Sequence, residues 1–262
     1  MKFLAIFLVA ISLTAQQTPS TAADNQAQAN QQKAQAILDK MIETLGGQAY
    51  LTLQDSQIEG RTGRFYHGRS EGGAQYWRFW QWPDKERLEF TKQRDIVDLY
   101  VGDSLWETTF RGTRQVDIQK DQDLRLFIER RHRSLEIILR RWLKEPGTAL
   151  FYEGPTLAEN HSTERVTIMN AANDAVTLYV DSNSHLPVKK IFILRDPQTR
   201  DRDEIAEVYD NWKKVQGINT PYNTLVMRNG ELQRQYFVSN ISYNNNLADS
   251  LFTPRTTDFG KK

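Results

Sequence analysis

The side chains that could do chemistry are few, and their spacing is wrong for it. Gly102-Asp103-Ser104-Leu105 sets a serine beside an aspartate. A serine nucleophile in such a string needs a strand-to-helix turn and an Asp-x-x-His pair late in the chain. Here the string falls between two β-patterned runs, and the nearest late pair, Asp181 and His185, has one residue too many between its members. Gly-Asp is also what a tight hairpin uses, and the string reads as a turn. His67, His132, His161 and His185 stand far apart, without metal-ligand spacing, in turns or on a polar helix face. Asp201, Asp203 and Glu204 flank a hairpin, where solvent denies a carboxylate pair the burial that splits its pKa values. No phosphate-binding glycine loop is present. The chain has no cysteine, which excludes thiol nucleophiles, thiolate metal sites and disulfides. The expectation is a protein without enzyme activity, metal or cofactor.

Aromatic side chains, by contrast, are plentiful. Tyr76 to Arg111 alternates apolar and polar residues, rich in aromatic and β-branched types, with turn chemistry at Pro83-Asp84, Gln93-Arg94 and Gly102-Asp103. That is the pattern of four antiparallel strands in a meander. Side chains two apart share a face. Trp77 and Phe79, Leu88 and Phe90, Val97, Leu99 and Val101, and Trp106 and Phe110 are therefore expected to form one concave apolar wall. Trp80 and Trp82 make the other face of the first strand apolar as well.

The elements that must cover this wall follow from the rest of the chain. Ala34, Ile37, Leu38, Met41, Ile42 and Leu45 form one helical stripe, stopped by Gly46-Gly47. Leu53 to Tyr66 reads as a strand that enters a glycine-rich turn, Gly68 to Gly73, and another strand lies near Val116-Ile118. From Asp121 to Lys144 the period becomes helical. Leu124, Phe127, Ile128, Leu135, Ile138, Leu139 and Trp142 share a face, Arg131 projects from its middle, and Ser134 can split the helix. Arg125, Arg130, Arg133, Arg140 and Arg141 are read as a solvated face balanced by Glu129, Glu136 and Glu145. Strands then resume from Ala149 to Tyr243, with Leu178 and Val180 on the one at Ala175-Asp181 and Asn229-Gly230 as the clearest hairpin turn. Leu251 and Phe252 close the chain by tucking under a sheet edge.

These elements predict an α+β fold, mainly antiparallel, with a strongly curved sheet of about eleven strands, an N-terminal helix and a mid-chain helical lid. So broad a sheet with so few helices is expected to keep an apolar cavity. Residues 1–23 read as a cleavable signal peptide, ending after residue 15 or 23: a lysine, an apolar run shorter than the roughly 20 residues of a bilayer span, then small residues. Polar residues 24–32 read as a disordered leader, 33–256 as a single domain and 257–262 as a tail. The net charge of +1 calls for no nucleic acid. The expected address is the periplasm, with no lipid anchor because no cysteine follows the apolar run.

The order of elements resembles the LolA/LolB-like lipoprotein carriers. Trp82-Pro83-Asp84-Lys85-Glu86-Arg87-Leu88-Glu89-Phe90 looks like that family's proline-led strand. Asp98-Leu99-Tyr100-Val101-Gly102-Asp103-Ser104-Leu105-Trp106 is similar to its hairpin, and Ser250-Leu251-Phe252-Thr253-Pro254 to its closing Phe-x-Pro. The resemblance implies an unclosed β-barrel whose helices form a lid over an apolar cavity, and a monomer that carries acyl chains of lipid or lipoprotein between a membrane-bound donor and acceptor. The cavity and lid are expected at Trp77, Phe79, Leu88, Phe90, Val97, Leu99, Trp106, Phe110, Phe127, Ile128, Leu135, Ile138, Trp142, Leu178 and Val180. The alternative is an envelope regulatory or interaction protein that binds a protein partner with the same sheet. In the lipoprotein carrier an arginine before the proline latches the lid. Trp82 holds that position here, so that latch is not carried over.

Overall fold

The computed structural model describes residues 20–195 and 200–254. The apolar run of the expected signal peptide and the tail at 257–262 lie outside the described residues. Helix α1 (Ser20–Leu45) is organised by its stripe: Ala34, Leu38, Met41 and Leu45 are at most 1% exposed. It ends where Gly46 and Gly47 both donate to Ile42 O, with Gly47 at φ 57. A side chain at Gly46 would meet Gly217 O at 3.1 Å, so this turn also needs glycine for close approach.

The helix begins earlier than its polar composition suggests. Residues 24–32, expected to be disordered, are its first turns. Alanine and glutamine are good helix formers, and Asn30 anchors the segment. The Asn30 side chain donates to Tyr152 O (2.7 Å) and accepts from Tyr152 N (2.8 Å), as a neighbouring strand would. Lys33 sits 3.9 Å from the Tyr152 ring. This pairing covers an otherwise open sheet edge.

A short helix α2 (Gln48–Leu51) leads into the sheet. The first half supplies β1 (Asp55–Tyr66), β2 (Arg69–Gln81), β3 (Lys85–Phe90), β4 (Ile96–Val101), β5 (Ser104–Thr109) and β6 (Gly112–Val116). Helices α3 (Gln122–His132) and α4 (Leu135–Arg140) follow. The second half supplies β7 (Ala149–Ala158), β8 (His161–Met169), β9 (Ala175–Asp181), β10 (Pro187–Arg195), β11 (Arg202–Val215), β12 (Ile218–Arg228) and β13 (Glu231–Tyr243). The thirteen strands among the described residues, against about eleven expected, form one sheet in the order β6-β5-β4-β3-β2-β1-β13-β12-β11-β10-β9-β8-β7. Each half is a meander; the β1–β13 pairing joins them, and β6 and β7 are the two edges. The glycine-rich stretch is strand rather than turn beyond Arg69, because Gly73 passes so near Thr62 O that a Cβ would lie 2.5 Å from it.

The helices lie on one face of the sheet, called inner here. The main core joins α1, α4 and Trp142 to Leu150, Val166, Ile168, Val176, Leu178, Val180, Phe192 and Ile205. Asp121 caps α3 by accepting from Leu124 N, and Ser134 caps α4 by accepting from Ile137 N, so the expected break at Ser134 is real. The outer face of β2–β5 is covered by the C-terminal segment, where Leu247, Leu251 and Phe252 pack on Phe79, Leu99, Trp77, Val101 and Trp106.

That last contact corrects the expected concave wall. Trp77, Phe79, Val97, Leu99 and Trp106 face away from the lid. Cross-strand partners share a face, and Trp77 and Phe79 pair with Glu89 and Arg87, which pair with Val97 and Leu99. Leu88 and Phe90 pair with Arg78 and Tyr76, and so lie on the inner face. Alternation fixes which residues share a face within a strand, but the register between strands decides which runs join. Phe110 joins neither face; it sits in the β5–β6 turn, 77% exposed, under the Arg111 guanidinium.

Candidate functional site

Helix α3 bridges two walls of the sheet, and arginines fasten it. Arg131 donates through Nε to Glu86 on β3 (3.0 Å), through Nη1 to Gly102 O (3.0 Å) and through Nη2 to Asp84 O (2.7 Å). On the opposite wall Arg130 donates to Glu207 on β11 (2.6 Å). Arg133 pairs with Asp174 (2.7 Å) and with Glu129, and its carbonyl accepts from Lys190 Nζ (2.6 Å). The arginine face read as solvated is therefore turned largely inward: Arg133 and Arg140 are buried, and the Arg130 side chain is 14% exposed.

The buried carboxylates are matched to these cations. Glu86 also accepts from Arg78 (2.6 Å), and Glu207 also binds Lys190 (2.9 Å) and Tyr209 Oη (2.8 Å). Burial by itself would push both carboxyl groups up. Arg78 and Arg131 hold Glu86 below the usual carboxylate range, and Lys190 and Arg130 bring Glu207 down to about 2. Both stay ionised at any pH a cell meets. Glu207 in turn adds to burial in raising the Tyr209 hydroxyl well above its ordinary value.

Under α3 lies a cluster separate from the main core. Tyr100, Leu105, Ile118 and Ile128 are buried together, with Leu88, Val116, Leu124 and Phe127 against them. The Tyr100 and Phe127 rings are 4.6 Å apart. Of the expected site residues, the structure brings Leu88, Phe127 and Ile128 together here; Leu135, Ile138, Trp142, Leu178 and Val180 belong to the main core. Phe90 is only partly buried beside Tyr76, beyond this cluster.

The α3–α4 junction also roofs a cleft of about 650 Å³. Its walls are the Pro83-Asp84 and Gly102-Asp103 turns on one side and Asn170 and Asp174 on the other; Arg78, Trp80 and Glu86 line its inside. The cleft is mostly polar, which the expectation of an apolar cavity did not foresee. His132 Nε2 lies 2.7 Å from Asp103 Oδ1 across its mouth. This gives the Gly102-Asp103-Ser104-Leu105 turn a partner on the lid. Ser104 opens β5 opposite Val101, on the outer-face parity, and so stands apart from the His132–Asp103 pair. Trp82 precedes Pro83 across a cis peptide bond and lies beneath the Arg140 guanidinium.

Sequence reasoning missed Glu86, Arg130, Lys190 and Glu207. One signal could have found them. Lys190 lies between Val188 and Phe192, and Glu207 between Ile205 and Tyr209, each a charge at an inward-facing position of a buried strand. Arg131 shows the same conflict on a helix. A charge inside an apolar repeat demands a partner from elsewhere in the fold.

Among the described residues no group of three or more His, Asp or Glu side chains is arranged to hold a metal ion, and no helix is long and apolar enough to cross a membrane. No protein-family model and no curated protein matches the sequence. Solved structures do match in fold. A DUF1329 family protein from Desulfovibrio piger superposes with a TM-score of 0.59 at 13% identity, covering 84% of this chain and 97% of that one. A domain named for outer membrane lipoprotein sorting, from Vibrio parahaemolyticus, gives 0.59 at 10% identity over 85% and 97%. A LolA superfamily protein from Nitrosomonas europaea gives 0.54 at 14% identity over 84% and 97%. The fold is LolA-like: an antiparallel sheet not closed into a barrel, with an N-terminal helix and mid-chain helices on its inner face.

Proposed function

We propose that this LolA-like chain is a periplasmic carrier that binds the acyl chain of a lipid or lipoprotein beneath α3, without covalent chemistry. The observation that supports it best is how α3 is held. Its Leu124, Phe127 and Ile128 rest on a small cluster distinct from the main core, which it touches through Leu126, while arginines pin it to both walls. Such a helix can leave as a unit. Leu124, Phe127 and Ile128 would vacate a bed formed by Leu88, Tyr100, Leu105 and Val116. An acyl chain on that bed gains about 0.8 kcal/mol for each methylene removed from water, so about eight methylenes offset two latches of about 3 kcal/mol each. Release needs an acceptor that binds the closed form better, since a ligand shifts an equilibrium only by its differential affinity.

The test is uptake. Purified protein is titrated with a fluorescent long-chain fatty acid and inspected by native mass spectrometry. Saturable uptake of one chain, with loss of hydrogen-exchange protection confined to α3, is the expected result. No uptake, together with a stoichiometric protein partner recovered from envelope extract, would replace the carrier with the protein-binding alternative.

A further inference from the structure

One buried cation on the helices has two nitrogens without an acceptor. Arg140, the last residue of α4, is 7% exposed, and its Nε and Nη1 are buried without a hydrogen-bond partner. Its guanidinium lies 3.6 Å from the centre of a Trp82 ring. The hydroxyl of Tyr50, on α2, is also buried and unpartnered, and the two groups are near enough to act on each other electrostatically. Glu136, one turn earlier on α4, attracts Arg140 from beyond hydrogen-bonding distance and acts on the Tyr50 hydroxyl more strongly than Arg140 does. A guanidinium with two nitrogens stripped of water and set against an aromatic face is poorly compensated. A buried phenol hydroxyl beside it, also unused, makes a second donor with the same deficit.

Beyond Glu136, the wider inner region holds more cations than carboxylates. Arg78, Arg130, Arg131, Arg140 and Lys190 crowd this inner region, while Glu86, Glu136 and Glu207 are the carboxylates that act on them. Glu86 and Glu207 are each shared by two of the cations, so positive charge is in excess. The polar cleft adjoins this site without including it: Ile137 on α4, Arg141 just beyond it and Trp80, whose ring stands 6.2 Å from that of Trp82, line the cleft, whereas Arg140, Tyr50 and Trp82 do not.

We propose that Arg140, Tyr50 and Trp82 receive the anionic head group, a carboxylate or phosphate, of a single-headed long-chain amphiphile. The inference rests on the acyl-binding reading above and narrows it: the guest carries a charge where an ester-linked chain carries none. The head enters by the polar cleft and takes hydrogen bonds from the guanidinium and the phenol. The tail lies on the apolar bed vacated by α3.

The experiment is displacement of a fluorescent fatty acid by three chain-matched competitors: a fatty acid, the primary alcohol and the alkyl phosphate. Wild-type protein should prefer one or both anions over the alcohol by about tenfold or more, the worth of a charge-assisted hydrogen bond. The better anion identifies the source of the head group. Arg140→Gln should erase the preference while leaving alcohol binding in place. Tyr50→Phe removes a single oxygen and should reduce the preference by several-fold, so it carries the test if Arg140→Gln does not fold. Equal binding of acid, phosphate and alcohol by wild type overturns this site and leaves the acyl reading standing, as does a preference that survives both substitutions. Failure of every chain-bearing probe to bind removes the acyl reading, and this inference with it.

Discussion

Replacing Arg131 with methionine should free α3 and leave the rest of the fold intact. Methionine keeps the length and helix propensity of the arginine and deletes its three donated hydrogen bonds, at 3.0 Å to Glu86, 3.0 Å to Gly102 O and 2.7 Å to Asp84 O. The guanidinium also lies 5.2 Å from the Tyr100 ring. Hydrogen bonds involving a charged group are worth about 1.5–3 kcal/mol each, though bonds in one network do not add. Glu86 keeps Arg78 at 2.6 Å, so no carboxylate is left buried without a partner, which would cost more. A net loss of about 3 kcal/mol is then expected for opening α3, or roughly a hundredfold rise in its open population. Amide hydrogen exchange read by mass spectrometry measures this directly. Peptides within residues 122–132 should lose about two orders of magnitude of protection, while those from β11–β13 hold theirs. Two results refute the reasoning: α3 protection unchanged, or protection lost equally across the whole domain. Either would mean that α3 opens only when everything does and is no lid.

Other outcomes follow from the same network. Burial, helped by Glu107 across β4–β5 and opposed by Arg234, raises Asp98 from the usual 3.8 to about 6. The folded state therefore binds the extra proton between those values. Asp98 costs nothing below the unfolded pKa and destabilises increasingly as pH rises through about 6. Asp98→Asn should raise stability by about 3 kcal/mol near pH 8 and by only about 0.5 kcal/mol near pH 4; urea melts giving equal shifts at the two pH values would contradict this. Phe252→Ala uncovers Phe79 and Leu99 on the outer face and should cost about 3–5 kcal/mol in chemical denaturation, the usual range for a buried phenylalanine. Asn30→Ala removes the two hydrogen bonds that cover β7 at Tyr152, and should cost about 1–2 kcal/mol and promote edge-to-edge association visible in light scattering at high concentration.

Much of the fold is legible in the sequence. The α1 stripe, the helical change of period at Asp121, the Ser134 break and the Asn229-Gly230 turn are local signals, each fixed by the conformational limits of a few neighbouring residues. Both turn residues at Asn229-Gly230 take positive φ, at 51° and 81°, as such a hairpin requires. The site was less legible. Leu88, Phe127 and Ile128 meet under α3, since their strand and helix have one apolar face each. Trp77 and Phe79 face the C-terminal segment instead, a choice that their strand, apolar on both faces, leaves to the register.

The sequence by itself determined the elements, their order and the absence of cysteine chemistry, since backbone preference and hydrophobic period act over a few residues. Only the tertiary structure decided which face of β2 looks at the lid, because that depends on the register with β3 and on a C-terminal segment far along the chain. It alone decided that Arg130, Arg133 and Arg140 turn inward and are not part of a solvated face. Ion pairing between residues 45 and 77 positions apart, as in Arg131–Glu86 and Arg130–Glu207, leaves no periodic trace in either partner's own neighbourhood.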